Sequence, residues 1–198
     1  MNSKIQIVEK PDWVSWDDIH EVLWTAHAEN RNNGVVMRYP SLSGEEIKNK
    51  IEANGKMFCA IVNGKLAGTA AIMTKKVKYW YNKVPETIAY LCFASVLPEY
   101  AGKGIYKQLN MTREKEARSM GYKRIMFDTH ENNIHKIQVD KNNGFKLVDY
   151  KLYGEHYNVV MVKWIDGCPY SEIRIKYEFA KRKATVKIKR LLKKILMK

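Results

Sequence analysis

Two groups of residues stand out for the chemistry that their types and spacing allow. Gly102-Lys103-Gly104 follows an apolar run and leads directly into residues with helical periodicity. A tight glycine turn at a helix start leaves several backbone N–H groups unpaired and converging. With the positive end of the helix dipole behind them, a diphosphate can rest there. Gly102 and Gly104 permit a chain direction and a close approach that a Cβ would block, and Lys103 adds a point charge. The second group is Asp128, His130, Glu131 and His135, side chains able to exchange protons. His130 is the first candidate for a general base, because an imidazole with a pKa of about 6.5 exchanges protons close to neutral pH. Glu131 and Asp128 follow it, and the plainer reading, in which Asp128-Thr129-His130 is only a hydrogen-bonded strand end, stays open.

The elements that must position these groups can be read from local signals. Ile5 to Ile7 alternates as an edge strand. Ser15 three residues before Asp18, and Ser43 three before Glu46, each open an apolar helical stripe. Residues 57–62 and 65–73 flank Asn63-Gly64, the strongest hairpin signal in the chain, since this dipeptide supplies the two positive φ values of a type I′ turn. Residues 87–97 form a long apolar strand that ends at Pro98, which cannot donate a ladder bond. A helix through Leu109, Met111 and Ala117 comes next, followed by a strand at 124–129, a short helix before Asn143-Gly144, and strands at 145–153 and 157–164. This order predicts a mixed α/β fold, a sheet covered by helices.

The bulk properties narrow the function classes. The chain has 198 residues, enough for one buried core, and 45% hydrophobic with 28% charged residues is an ordinary globular composition. Cys59, Cys92 and Cys168 show no metal-ligand spacing and read as free thiols of a reducing compartment; no metal site is expected. Residues 1–10 lack the apolar core of a signal peptide and no run is long enough to span a bilayer, so a cytoplasmic location is expected. The net charge of +14 lies largely in residues 180–198, which carry nine Lys or Arg and no carboxylate. Ile188, Leu191, Leu192, Ile195 and Leu196 form a stripe on this basic segment. The reading divides residues 1–167 from an extension at 168–198. It leaves two uses for 184–198: peripheral contact with an anionic inner membrane surface, or packing on the body or a second copy as monomer or homodimer. Nucleic acid is the weakest partner, since no base-reading module accompanies the charge.

The segment Phe93-Ala-Ser-Val-Leu-Pro-Glu-Tyr-Ala-Gly-Lys-Gly-Ile-Tyr106 resembles the signature of the GNAT superfamily of acyl-CoA N-acyltransferases. In that superfamily a strand often ending in Pro-Glu-Tyr precedes Arg/Gln-x-x-Gly-x-Gly/Ala at the start of the central helix. Asn133 and Gly144-Phe145 match a second block, and the resemblance covers about residues 15–165. It implies a central, mostly antiparallel sheet flanked by helices, with a V-shaped parting of two strands. It also implies acetyl-CoA or coenzyme A as cofactor, with the diphosphate on Ala101, Gly102, Lys103, Gly104, Ile105 and Tyr106. The pantetheine arm would pair with Ala94, Val96 and Leu97, and Asn133 would join the cofactor site, with an N–H near Val96 or Leu97 as oxyanion donor.

The implied activity is acetyl transfer to a small amine acceptor by direct attack in a ternary complex. A membrane-bound tail would favour an amino-sugar precursor as acceptor. Met37, Tyr39, Trp80 and Tyr81 fall in the loops expected over the acceptor cleft. Three departures matter: Ala101 replaces Arg or Gln, Tyr106 replaces Gly or Ala, and Asp140 stands where many relatives carry the tyrosine that reprotonates the thiolate. Ala101 and Asp140 support an alternative, a non-catalytic adaptor of the same fold that binds membrane or nucleic acid through its tail.

Overall fold

Strand β1 (Ile5–Glu9) leads to helix α1 (Trp16–Ala26), which opens on a reciprocal capping box. Ser15 Oγ accepts from the Asp18 N–H at 3.0 Å while the Asp18 carboxylate accepts from the Ser15 N–H at 2.7 Å. A short α2 (Ala28–Asn32) follows, then α3 (Gly44–Asn54) behind the equivalent Ser43/Glu46 box. This structure, a computed structural model, describes residues 4–35, 41–82 and 84–196; Met37 and Tyr39 lie outside them. Strands β2 (Gly55–Val62) and β3 (Lys65–Val77) are joined by Asn63 and Gly64 at φ 51° and 76°, as the dipeptide predicts. β3 runs past residue 73 because β4 (Glu86–Val96) pairs along it as far as Val77.

A 3₁₀ turn, Pro98–Tyr100, ends β4 and leads to α4 (Ile105–Ser119), β5 (Arg124–His130), α5 (Ile134–Asn142), β6 (Lys146–Tyr153), β7 (His156–Trp164) and α6 (Glu172–Leu196). The seven strands form one sheet in the order β1-β2-β3-β4-β5-β7-β6, antiparallel except for β4 with β5. α1 and α3 bury Ile19, Leu23, Ile47 and Ile51 on one face, and α4 buries Ile105, Leu109 and Ala117 on the other. The fold is therefore the mixed α/β arrangement expected.

One region differs from the expectation. Trp80 and Tyr81, expected over the acceptor cleft, do not border the pocket on the α1/α3 face, and Trp80 with Tyr79 instead lines a cleft beside α6. Tyr79 and Tyr81 are buried, Trp80 Nε1 donates to the Val148 carbonyl at 3.0 Å, and edge-on contacts join Tyr81 to Trp164 (5.3 Å) and Trp80 to Tyr170 (5.1 Å). Burying this much aromatic surface outweighs leaving it free for a ligand. The basic extension folds back as α6, which lays Ile175, Phe179 and Val186 on the body. Ion pairs Arg182–Asp149 and Arg190–Glu155 fasten it.

Candidate active site

The site begins with an irregularity in β4. Ala71 faces Cys92 and Thr69 faces Ser95, so Phe93 and Ala94 together oppose Ala70 alone, which is a β-bulge. Phe93 sits at φ 51°, a left-handed backbone that costs a side-chain-bearing residue roughly 1–2 kcal/mol. Surrounding groups hold it there: Thr69 Oγ1 donates to the Phe93 carbonyl at 3.1 Å, and Arg113 of α4 donates to the Ala71 and Cys92 carbonyls at 3.3 Å each. Arg113 is 2% exposed, and burial pushes its pKa below the usual guanidinium value.

Beyond the bulge β4 leaves β5, whose pairing with it is confined to Ala89–Ile125 and Tyr90–Met126. Val96 faces Gly68 while the Leu97 N–H bonds the Ala67 carbonyl at 2.9 Å. That pattern makes Val96–Gly68 a non-hydrogen-bonded pair and turns the Val96 N–H and C=O away from β3, into the gap. Leu97 is corrected accordingly: its N–H is used by Ala67, and its carbonyl accepts from the Tyr100 N–H. Its backbone has nothing left to offer a thioester.

The glycine turn opens the other end of the gap. Gly102 and Gly104 take φ values of 75° and 76°, and a Cβ built on either meets nothing within 4 Å, so the space above the loop is open. Gly104 caps α4 without a side-chain bond, and the first intrahelical bond runs from the Gln108 N–H to its carbonyl. The N–H groups of Ile105, Tyr106 and Lys107 consequently lack intrahelical partners. Ala101 drops out as a donor because its N–H closes on the Pro98 carbonyl, and the Lys103 ammonium folds back to the Glu99 carbonyl at 3.1 Å. Deeper in, Asn110 gives its Oδ1 to Arg113, leaving a buried Nδ2 with no hydrogen-bond partner among the described residues. Open glycines, free amides and an orphaned amide donor together fit a diphosphate carrying an amide-rich arm.

The gap itself is a slot of about 40 Å³, and its walls include Ala94, Tyr106, Asn110, Asp128 and Asp140. Two of the departures from the superfamily pattern turn out to be partners. Asp140, 1% exposed, accepts from the Tyr106 hydroxyl at 3.3 Å, and Lys136 donates to both, reaching Asp140 at 2.7 Å. The Tyr106 phenol thus stands within hydrogen-bond reach of position 140.

On the α1/α3 face lies a larger pocket of about 670 Å³, walled by Lys50, Lys75, Tyr90, Asp128, His130 and His156 among others. It shares Phe93, Asp128 and Thr129 with the slot, so these residues divide the two spaces. Asp128 accepts from Tyr90 Oη at 2.7 Å and from Asn158 Nδ2 at 3.0 Å. His130 lines the pocket alone. Its Nδ1 accepts the Asn132 N–H at 3.1 Å, which places the ring proton on Nε2 and engages the lone pair a base would use. Burial, then the neighbouring His156, lowers its pKa from the ordinary imidazole value.

Glu131 is not brought to either space: it accepts from Tyr150 Oη at 2.7 Å and lies 3.5 Å from Lys183. His135 is exposed on α5, and Asn133 donates to Thr129 Oγ1 at 3.2 Å beside the slot. Burial pushes the Cys92 thiol up to about 12, which removes it as a nucleophile. Sequence reasoning missed Arg113, Asn110 and His27, which lines the slot with its Nε2 2.9 Å from Ser95 Oγ. None of these carries a local signal.

Known structures repeat this architecture. A PaiA N-acetyltransferase from Thermoplasma acidophilum, in complex with coenzyme A, superposes with a TM-score of 0.62 at 20% identity, covering 81% of this chain and 99% of its own. A putative acetyltransferase from Acinetobacter baylyi gives 0.65 at 17%, covering 87% and 99%. A GNAT family acetyltransferase from Elizabethkingia anophelis, with acetyl-CoA bound, gives 0.59 at 13%, covering 81% and 97%. No curated protein sequence matches the chain. Residues 16–145 match the Acetyltransferase (GNAT) family, and the chain belongs to it.

Proposed function

We propose that this protein transfers an acetyl group from acetyl-CoA to an amine, with both reactants bound at once on opposite sides of the parted strands. The observation that carries the reading is the junction at Asp128, where a narrow slot on one side meets a pocket of about 670 Å³ on the other. Acetyl-CoA would supply the acetyl group as a thioester. The amides at the start of α4 would hold its diphosphate, and the Val96 N–H is the donor available to negative charge developing on an acyl oxygen.

Asp128 takes the role of proton acceptor from the amine, because it alone of the three candidate bases borders both spaces. Tyr90 and Asn158 orient its carboxylate. His130, with its proton on Nε2, serves as a donor that positions the acceptor. Tyr106 is the proton donor at the slot, and Lys136 is placed to balance the charge left on its oxygen.

The test is calorimetric and kinetic. Acetyl-CoA and free CoA should both bind, and a dissociation constant weaker than about 1 mM for both would end the reading. With an active amine from a panel that includes amino sugars, Asp128→Asn should lower kcat by ~10²–10⁴ and leave acetyl-CoA affinity unchanged. Tyr106→Phe should lower kcat in the same direction, by a smaller factor. The narrowness of the slot favours the second reading, a GNAT-fold adaptor without catalysis: Tyr106 and Lys136 stand where the arm of the cofactor would pass. That reading predicts no binding of acetyl-CoA and no transfer to any amine.

A further inference from the structure

α6 has two apolar faces, and the body uses only one. At 100° per residue, Ile175, Phe179, Val186 and Arg190 point to one side of the helix, the side fastened to the sheet. Ile173, Tyr177, Ile188, Leu191 and Ile195 fall within an arc of about 60° on the opposite side. All five are more than half exposed, as is Leu192, about 40° beyond the arc. A stripe of this length, running down a 25-residue helix already held by its other side, does nothing for the stability of the body.

Charge decides what can cover it. Residues 180–196 contain Lys181, Lys187, Lys189, Lys193 and Lys194 beside the arginines, and no carboxylate. Arg182, Lys183 and Arg190 are paired inward with Asp149, Glu131 and Glu155. Lys181, Lys187 and Lys194 flank the outer stripe, Lys187 also reaching back over the Tyr150 and Tyr157 rings, whereas Lys189 and Lys193 fall on the side of Ile175. A second copy laid on this face would set lysine against lysine, which opposes association. A nucleic acid would take the charge and leave the isoleucines and leucines in water. An anionic surface with an apolar interior satisfies both. Long lysine side chains can bury their stems in such a surface while their ammonium groups reach its phosphates.

We infer that the outer face of α6 is a docking surface for an anionic lipid bilayer, on which the helix lies flat with its stripe in the headgroup boundary. No helix among the described residues is long and apolar enough to cross a membrane, so contact is peripheral. The helix also contacts the hairpin that borders the pocket of about 670 Å³. Arg190 holds Glu155 at the tip of the β6–β7 hairpin, and Tyr153, Gly154 and His156 of that hairpin line the pocket.

The full chain is sedimented with sucrose-loaded vesicles of phosphatidylcholine, with and without phosphatidylglycerol. Partitioning should be at least about tenfold stronger to the anionic vesicles and should collapse at high salt. The triple variant Ile188→Ser/Leu191→Ser/Ile195→Ser should lose at least about tenfold. These side chains are exposed, so the fold should survive, as circular dichroism will verify; Lys181→Glu/Lys194→Glu, at exposed positions flanking the stripe, tests the same surface if it does not. Equal partitioning to neutral and anionic vesicles, or a triple variant that binds like the parent, overturns the inference. So does a dimer that the triple variant dissociates in the absence of vesicle binding, or binding to polynucleotide alone.

Discussion

The two halves of β4 differ in how their backbone is used. From Glu86 to Cys92 the strand lies between β3 and β5 and packs its side chains into both cores. From Ala94 to Val96 it keeps β3, and no strand among the described residues pairs with its other edge. One extra residue at the bulge separates the halves, and a strand that was pure structure becomes a binding edge. The difference teaches that the open edge is maintained from outside the strand. Arg113 and Thr69 satisfy carbonyls around the bulge, and His27 holds Ser95 beyond it.

The largest expected effect follows from removing the brace. Arg113→Met would leave the Ala71 and Cys92 carbonyls without their donor and free Asn110 to turn. Loss of buried charge-assisted bonds outweighs the relief of desolvating the guanidinium, so unfolding in urea should show a loss of about 3 kcal/mol. The more telling readout is CoA affinity. It should fall even where the variant is fully folded, because β4 is then free to close toward β5. A folded variant with parental affinity would mean that the bulge needs no brace and that the two halves are independent.

What the sequence revealed was what neighbours in the chain decide. Ser15 with Asp18, Ser43 with Glu46 and Asn63-Gly64 each act within a few residues, and each stands where it was expected. Glycine loop and helix start are equally local. The bulge is not, since Phe93 carries none of the turn chemistry that marks a positive φ. Nor is the Tyr106–Asp140 contact, which joins α4 to α5 across 34 residues. Read singly, the two substitutions look like losses; in contact they look like an exchange. His130 is the first candidate base on the ordinary pKa of an imidazole; Asp128 is proposed ahead of it from the Asn132 N–H at His130 Nδ1 and the position of Asp128 between two spaces, neither of which is local in sequence. The exposed stripe of α6 was legible from Ile188 onward, whereas its buried counterpart, from Ile175 to Val186, was not.

His27 gives a second way to separate the halves of β4, through pH. Burial first, then the charges of Arg31 and Lys136, push its pKa down to about 4, so the folded protein holds a neutral imidazole against Ser95. The unfolded chain takes up its proton near the ordinary value of about 6.5. Between these values the unfolded state binds more protons, and stability falls as pH is lowered from about 6.5 to about 4. The loss should amount to about 2–3 kcal/mol, allowing for residual solvent contact. Urea midpoints measured across that range should slope for the parent and flatten for His27→Gln. An equal slope in both proteins would assign the acid sensitivity to other groups and leave the open half of β4 without its histidine prop.

The smallest effect sharpens the comparison by adding to the open edge instead of breaking it. Position 101 is exposed, its N–H is occupied by Pro98, and its methyl group contributes nothing to the loop that follows. If the amides of α4 hold a diphosphate, a guanidinium placed here would meet the same anion from the side that Lys103 leaves when it folds back to Glu99. Ala101→Arg should then tighten CoA binding by about fivefold, near 1 kcal/mol, and the gain should shrink at high salt. Dephospho-CoA, which keeps the diphosphate and lacks the ribose phosphate, should show the same gain. A gain confined to CoA would move the new contact to the ribose phosphate, and no gain with either ligand would remove the glycine turn from the cofactor site.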